Sequence, residues 1–243
     1  MKNVEKGKKL RACALPLLTL FLLLLNLLSG CALPEAPEEP GDSLNLAGIK
    51  KSGSTKTAEA DLRCLVTPWN DIAPDYVPQL DYLSDGTAVD HRCIEALRAL
   101  LTACREAGNA PYICSAYRSY DTQSQLFENK IARVMAEGYG RTEAEDIAAR
   151  EVARPGTSEH QLGLAVDIID SGYTALDEGQ ASTPTQVWLM ENSWRYGFIL
   201  RYPADKSDIT GIIYEPWHYR YVGEAAAEIY ESGLCFEEWL EER

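Results

Sequence analysis

The chain has 243 residues, 46% hydrophobic, 25% charged and 9% aromatic, an ordinary globular composition that excludes collagen-like, coiled-coil and wholly disordered chains. Its formal charge of −14 arises from 23 Lys+Arg against 37 Asp+Glu, and an acidic surface of this size argues against electrostatic binding to nucleic acid or anionic lipid. The length is enough for one domain with a well-filled core plus additional segments.

Residues 1–30 read as a leader. Five basic residues (Lys2, Lys6, Lys8, Lys9, Arg11) and one acid precede an apolar run of 17 residues from Ala12 to Leu28, interrupted by Pro16 and Asn26. That run is short for a membrane span and right for the apolar part of a signal peptide. Leu28-Ser29-Gly30-Cys31 follows directly. It resembles the bacterial lipobox, in which small residues precede a cysteine that is lipidated and becomes the mature N-terminus. The resemblance implies an extracytoplasmic protein held by acyl chains on Cys31 at the outer face of the cytoplasmic membrane; the alternative is an uncleaved anchor or an ordinary signal peptide. Residues 31–60 then read as a disordered tether. Pro34, Pro37 and Pro40 alternate with Glu35, Glu38 and Glu39 before a Gly/Ser/Lys/Thr-rich stretch, and so few apolar groups do not repay the entropy of ordering.

The folded domain is expected over 61–243, with mixed α and β elements. Asp90 is placed to cap a helix from His91 to Ala107 that ends at Gly108, with Ile94, Leu97, Leu101 and Cys104 on one face. Pro111 to Ala116 reads as a strand. A second helix starts at Asp121 and stops near Gly138, with Leu126, Ile131 and Val134 among its apolar positions. Thr142 and Glu145 form a capping-box pattern for a third. Pro155-Gly156 is a turn, and Leu164 to Ile169 a strand. Thr183, Pro184 and Gln186 open a helix that closes at Gly197. Phe198–Tyr202 and Ile212–Tyr221 read as strands, and a last helix runs from near Gly223 to Ser232. Both element types without a regular βαβ alternation predict an α+β fold with a small antiparallel sheet flanked by helices.

Five cysteines remain after the leader and Cys31: Cys64, Cys93, Cys104, Cys114 and Cys235. No Cys-x-x-Cys pair is present, which argues against a thiolate zinc cluster. Export is compatible with one or two disulfides, and the odd count leaves at least one thiol over.

Only three histidines occur: His91, His160 and His218. His91 sits at a helix start with no carboxylate motif around it. His160 precedes a strand in which Leu164, Val166 and Ile168 share an apolar face and Gly163, Ala165 and Asp167 share the other. Small residues leading to a carboxylate leave room for an ion or substrate, toward which a loop histidine can fold. In Tyr214-Glu215-Pro216-Trp217-His218-Tyr219 an acid lies three positions before a histidine. Pro216 opposes a regular central strand, and a bulge or edge there brings Glu215 and His218 to one side. His160, Asp167 and His218 would then be three ligands with a fourth place open, the pattern of catalytic zinc. Spacing alone leaves the plainer readings open: a satisfied core or surface histidine, a salt-bridged Glu215, a core Trp217.

Three segments, Cys114-Ser115-Ala116-Tyr117-Arg118-Ser119, Pro155 to Ile168 and Tyr214 to Gly223, resemble the VanY-type D-alanyl-D-alanine carboxypeptidases, zinc peptidases of the same broad group as the VanX dipeptidases. The likeness runs from about Leu65 to the C-terminus. It implies the small α+β domain shared with the hedgehog signalling domain, and one zinc ion held by His160, Asp167 and His218. It further implies Glu215 as general base, and Arg118 facing the scissile carbonyl or the substrate carboxylate. Ser158 and Gln123 match substrate-contact positions, and Tyr117 and Trp217 are expected to line the pocket. Ala116 stands where a glycine is common. The implied substrate is a peptidoglycan stem peptide ending in D-Ala-D-Ala, trimmed by one D-alanine by a monomeric enzyme. The alternatives are an L,D-carboxypeptidase acting on tetrapeptide stems, a non-catalytic zinc-containing wall-binding module, and a lipoprotein with a structural metal.

Overall fold

The computed structural model describes residues 60–243. The leader, Cys31 and the tether expected from the sequence lie outside the described residues. A short hairpin, β1 (Leu80–Tyr82) and β2 (Ala88–Asp90), leads into α1 (Ile94–Glu106). Then come β3 (Pro111–Ser115), the helix pair α2 (Tyr120–Ala136) and α3 (Arg141–Ala148), a 3-10 turn over Glu159–Leu162, and β4 (Ala165–Asp170). The chain continues through α4 (Pro184–Asn192), β5 (Phe198–Leu200), α5 (Ser207–Thr210), β6 (His218–Tyr221), α6 (Ala225–Ser232) and α7 (Phe236–Glu241). The main sheet has the order β3-β4-β6-β5, with every neighbouring pair antiparallel. This is the expected α+β architecture.

The sheet is anchored by the alternation read in the sequence. Leu164, Val166 and Ile168 are fully buried in one cluster with Leu97, Leu100 and Leu101 of α1. Each such side chain contributes about 1.5–3 kcal/mol of burial. A second cluster joins Ile199 and Val222 to Ile229, Phe236 and Trp239 of the C-terminal helices. A third, Phe127, Ile131, Val134, Ala144 and Ala148, holds α2 against α3.

Several local expectations are corrected. Asp90 does not cap α1. It ends β2, its carboxylate binds the Arg92 backbone N–H and guanidinium at 2.6–2.9 Å, and the helix starts after Cys93. Helix α2 starts one residue earlier than expected because the Ser119 hydroxyl accepts from the Thr122 N–H at 3.2 Å. Helix α3 is entered from Gly140. Thr142 lies inside it, and Glu145 is drawn to Arg141 instead of closing a capping box. Of Ile212–Tyr221 only His218–Tyr221 is strand, since Pro216 breaks the run. The β1–β2 hairpin, α5 and α7 were not foreseen. The five cysteines of the described residues are free thiols, so none of the disulfides compatible with export is formed among them. No helix of the described residues is long and apolar enough to cross a membrane.

Candidate metal centre

His160 is delivered by the 3-10 turn. Gly163 ends that turn at φ +70° and sends the chain into β4. A Cβ there would lie 2.8 Å from the Asp90 backbone nitrogen, so glycine is required both by conformation and by the close approach of β2. The Ala116 carbonyl, 2.7 Å from His160 Nδ1, can only accept. It places the proton on Nδ1 and leaves Nε2 free. The Arg118 N–H donates to the His160 carbonyl at 3.2 Å, tying the end of β3 to the same turn.

Asp167 lies within β4 and is paired in register with His218 of β6 on one side and Ser115 of β3 on the other. Paired residues of antiparallel strands share a face. Asp167 Oδ2 is 3.3 Å from His160 Nε2, and Oδ1 is 3.1 Å from His218 Nδ1. One donor atom from each of the three residues lies within 4.8 Å of the others. The three are 1%, 6% and 4% exposed, and His160 Nε2 and Asp167 Oδ1 have no hydrogen-bond partner. Buried polar atoms without partners are costly. Two imidazole nitrogens and a carboxylate oxygen fit a zinc ion, which would relieve that cost.

The electrostatics are those of a tightly coupled cluster. Burial and the Arg118 charge push His160 down to about 4. Burial alone would lower His218, but its contacts with Asp167 and Glu159 outweigh it and raise the group to about 9. Burial likewise opposes ionisation of Asp167, yet the two histidines hold its carboxyl well below the usual range.

Glu215 precedes β6 in a turn closed by the His218 N–H donating to the Glu215 carbonyl at 3.1 Å. Its Oε2 is 3.6 Å from His218 Nδ1. The turn, not a bulged strand, brings the two together. Burial, with the nearby Asp167 charge, pushes Glu215 up to about 8. Arg118 Nη2 is 3.7 Å from Asp167 Oδ2, and Nη1 donates to Gln123 Oε1 at 2.9 Å.

All of these groups line one cleft of about 490 Å³, to which Ser158 and Trp217 also contribute as expected. Two expectations change. Gln123 is committed at both ends, since its Nε2 donates to the Ala153 carbonyl at 2.7 Å, so it holds Arg118 rather than presenting a free amide. Tyr117 is not among the cleft-lining residues. Successive side chains of extended backbone alternate, and Arg118 takes the cleft side. His91 lies outside the cluster, as its surroundings suggested. The room expected over Ala165 is taken by its register partner Arg220, a fully buried cation.

Sequence reading missed the layer behind the histidines. Glu159, inside the Pro155–Ile168 segment, is 1% exposed and sits 3.4 Å (Oε2) from His218 Nε2. Tyr202 packs its ring 4.8 Å from that of His218. Arg201, directly after the apolar β5, and Arg220 within β6 were the available signal, since a buried guanidinium requires a buried acid.

Three convergent ligand atoms, an open cleft and a non-ligand glutamate alongside make this a site of the mononuclear zinc hydrolase class. The comparisons name the family. Residues 86–224 match the family described as VanY, D-alanyl-D-alanine carboxypeptidase. A D-alanyl-D-alanine carboxypeptidase of Enterococcus faecalis is 45% identical over 215 residues, 87% of this chain and 75% of the relative. The structure of a VanY D,D-pentapeptidase variant from a VanB-type resistance cassette, in complex with Zn(II), aligns with a TM-score of 0.66 at 45% identity, covering 73% of this chain and 98% of the other. The LD-carboxypeptidase LdcB aligns with a TM-score of 0.62 at 34% identity, covering 73% and 84%. The chain belongs to the VanY family of D-alanyl-D-alanine carboxypeptidases.

Proposed function

We propose that this chain is a zinc-dependent D,D-carboxypeptidase that removes the terminal D-alanine from peptidoglycan stem peptides ending in D-Ala-D-Ala. The observation that carries the reading is the convergence of His160 Nε2, Asp167 and His218 Nδ1 beside Glu215, in a chain of this family. His160, Asp167 and His218 would hold one zinc ion. When bound, zinc supplies Lewis acidity, lowering the pKa of a water toward about 7 and polarising a carbonyl. Glu215 takes the proton of the attacking water on its carboxylate and delivers it to the departing D-alanine nitrogen. Arg118, braced by Gln123, donates to the oxygen that becomes negative or to the terminal carboxylate of the substrate. Ser158 offers a further donor, and Trp217 walls the cleft against water. The proposed ligands, base and Arg118 all belong to one chain, so the site as proposed needs no residue of a partner subunit.

The L,D reading, on stems already trimmed to tetrapeptides, rests on the LdcB likeness. Incubating the purified zinc-loaded chain with a tripeptide-D-Ala-D-Ala stem and with the tetrapeptide, and weighing the products, separates the two. The proposal expects one D-alanine released from the pentapeptide and an intact tetrapeptide. Release from the tetrapeptide alone selects the L,D reading, and no release from either overturns both.

We propose further that Cys31 is lipidated and holds the enzyme at the outer face of the cytoplasmic membrane, on the strength of Ser29-Gly30-Cys31 following the apolar run. The Cys31→Ser protein should leave the membrane fraction for the soluble one. Retention in membranes would overturn the anchor.

A further inference from the structure

Behind the metal centre lies a charged cluster that the proposed chemistry leaves unused. Glu159 Oε1 accepts from Arg201 Nε at 2.8 Å and lies 2.8 Å from Arg220 Nη1. Arg201 also grips Glu237 of α7 with both terminal nitrogens, at 2.8 and 2.6 Å. The side chains of Glu159, Arg201 and Arg220 have no solvent exposure, and that of Glu237 has 8%. Burying four charges carries a large desolvation cost before pairing, and apolar residues of similar volume serve stability as well or better. The cluster therefore calls for a use beyond packing.

That use is visible at the other oxygen. Glu159 Oε2 has no hydrogen-bond partner, and neither has His218 Nε2, 3.4 Å away. One is an acceptor and the other a donor, and both are buried. With two guanidinium groups fixing Oε1, Oε2 is held stationary against the imidazole edge. A proton kept on Nε2 leaves the lone pair on Nδ1, the nitrogen 3.1 Å from Asp167 Oδ1. Tyr202 packs against the same ring.

We infer that Glu159 is a positioning residue: clamped by Arg201 and Arg220, it fixes the ring orientation and tautomer of His218 so that Nδ1 faces the metal. The inference rests on the zinc reading of the site. Carboxylates behind metal-ligating histidines act in this way generally. A carboxamide at this position would give its oxygen to the arginines and turn an N–H toward His218 Nε2, opposing that tautomer.

The test is Glu159→Gln in the full chain, with zinc affinity measured by competition against a chelator and thermal unfolding measured on the zinc-free proteins. A dissociation constant raised about 10–100-fold, in a zinc-free protein that still unfolds cooperatively, is the expected result. Unchanged zinc affinity overturns the inference and assigns the cluster to packing alone. Wild-type protein that takes up no zinc instead overturns the metal reading beneath it. Should the variant fail to fold, a long-range 1H–15N spectrum of the zinc-loaded wild type decides. It should show the proton on Nε2 of His218 and on Nδ1 of His160. A His218 protonated on Nδ1 overturns the inference.

Discussion

Asp167 and His218 are register partners on β4 and β6, with Oδ1 of the first 3.1 Å from Nδ1 of the second. Two of the three proposed ligands are thus fixed by backbone hydrogen bonding rather than by loop conformation. Only His160 is brought in from outside the sheet, by a turn whose geometry Gly163 enforces.

Glu215→Gln removes the proposed base and keeps the shape. It should bind zinc with wild-type stoichiometry and lose about 10²–10⁴-fold in kcat. Paired metal analysis and product assay check this. Full activity in the variant would remove Glu215 from the mechanism.

Arg118→Lys keeps a positive charge but not the planar donor set that one Gln123 bond now orients. A fall of about 10²–10³ in kcat/KM is expected if its role is to meet developing negative charge. Steady-state kinetics on the pentapeptide check it, and zinc affinity should stay near wild type.

The pH dependence follows from His218 and Glu215. Without metal, His218 is raised to about 9 and is protonated at neutrality, whereas a ligand nitrogen must be bare. Zinc binding at pH 7 should therefore expel a proton, and affinity should climb as pH rises toward about 9. Calorimetry in buffers of different ionisation enthalpy reads the proton directly. The same shift has a sign for folding. A group with a raised native pKa stabilises fully below its unfolded value of 6.5, and that contribution disappears as pH rises through about 9. Glu215, raised to about 8 from 4.5, pushes the same way. Metal-free protein should lose stability between pH 6.5 and 9, measured by urea unfolding, and zinc should reverse the trend.

Gly163→Ala places a methyl 2.8 Å from the Asp90 backbone nitrogen at a φ of +70°. The strained conformation and the clash together should cost about 2–4 kcal/mol, read from urea denaturation. Because the turn carries His160, zinc affinity should fall as well.

Much of this centre was legible before the structure. The His160 to Asp167 spacing, the alternation of Leu164, Val166 and Ile168, and the Glu215–His218 pair pointed to residues that the structure brings into one cluster. What spacing did not reveal was how they meet. Strand register is set by pairing between distant segments, so nothing near Asp167 in sequence names His218 as its partner. The apolar run before His218 looked like strand, yet Pro216 makes it a turn that serves Glu215 better. Gln123 and Tyr117 were assigned by motif position, and only side-chain direction shows one as a brace and the other facing elsewhere. Glu159 stayed hidden because a glutamate in a loop is usually solvated, and its partners Arg201 and Arg220 lie 42 and 61 residues away.

X-ray absorption spectroscopy of the zinc-loaded chain tests the central claim most directly. The account predicts two imidazole nitrogens and only oxygen donors besides, one from Asp167 and the remainder exchangeable with solvent. A sulfur neighbour would contradict it. Cys114 is the cysteine that lines the cleft, its Sγ donating at 3.5 Å to the Asp167 backbone carbonyl, and it lies outside the His160, Asp167 and His218 cluster. A closed site of four protein donors would leave no place for the water that the proposed hydrolysis requires.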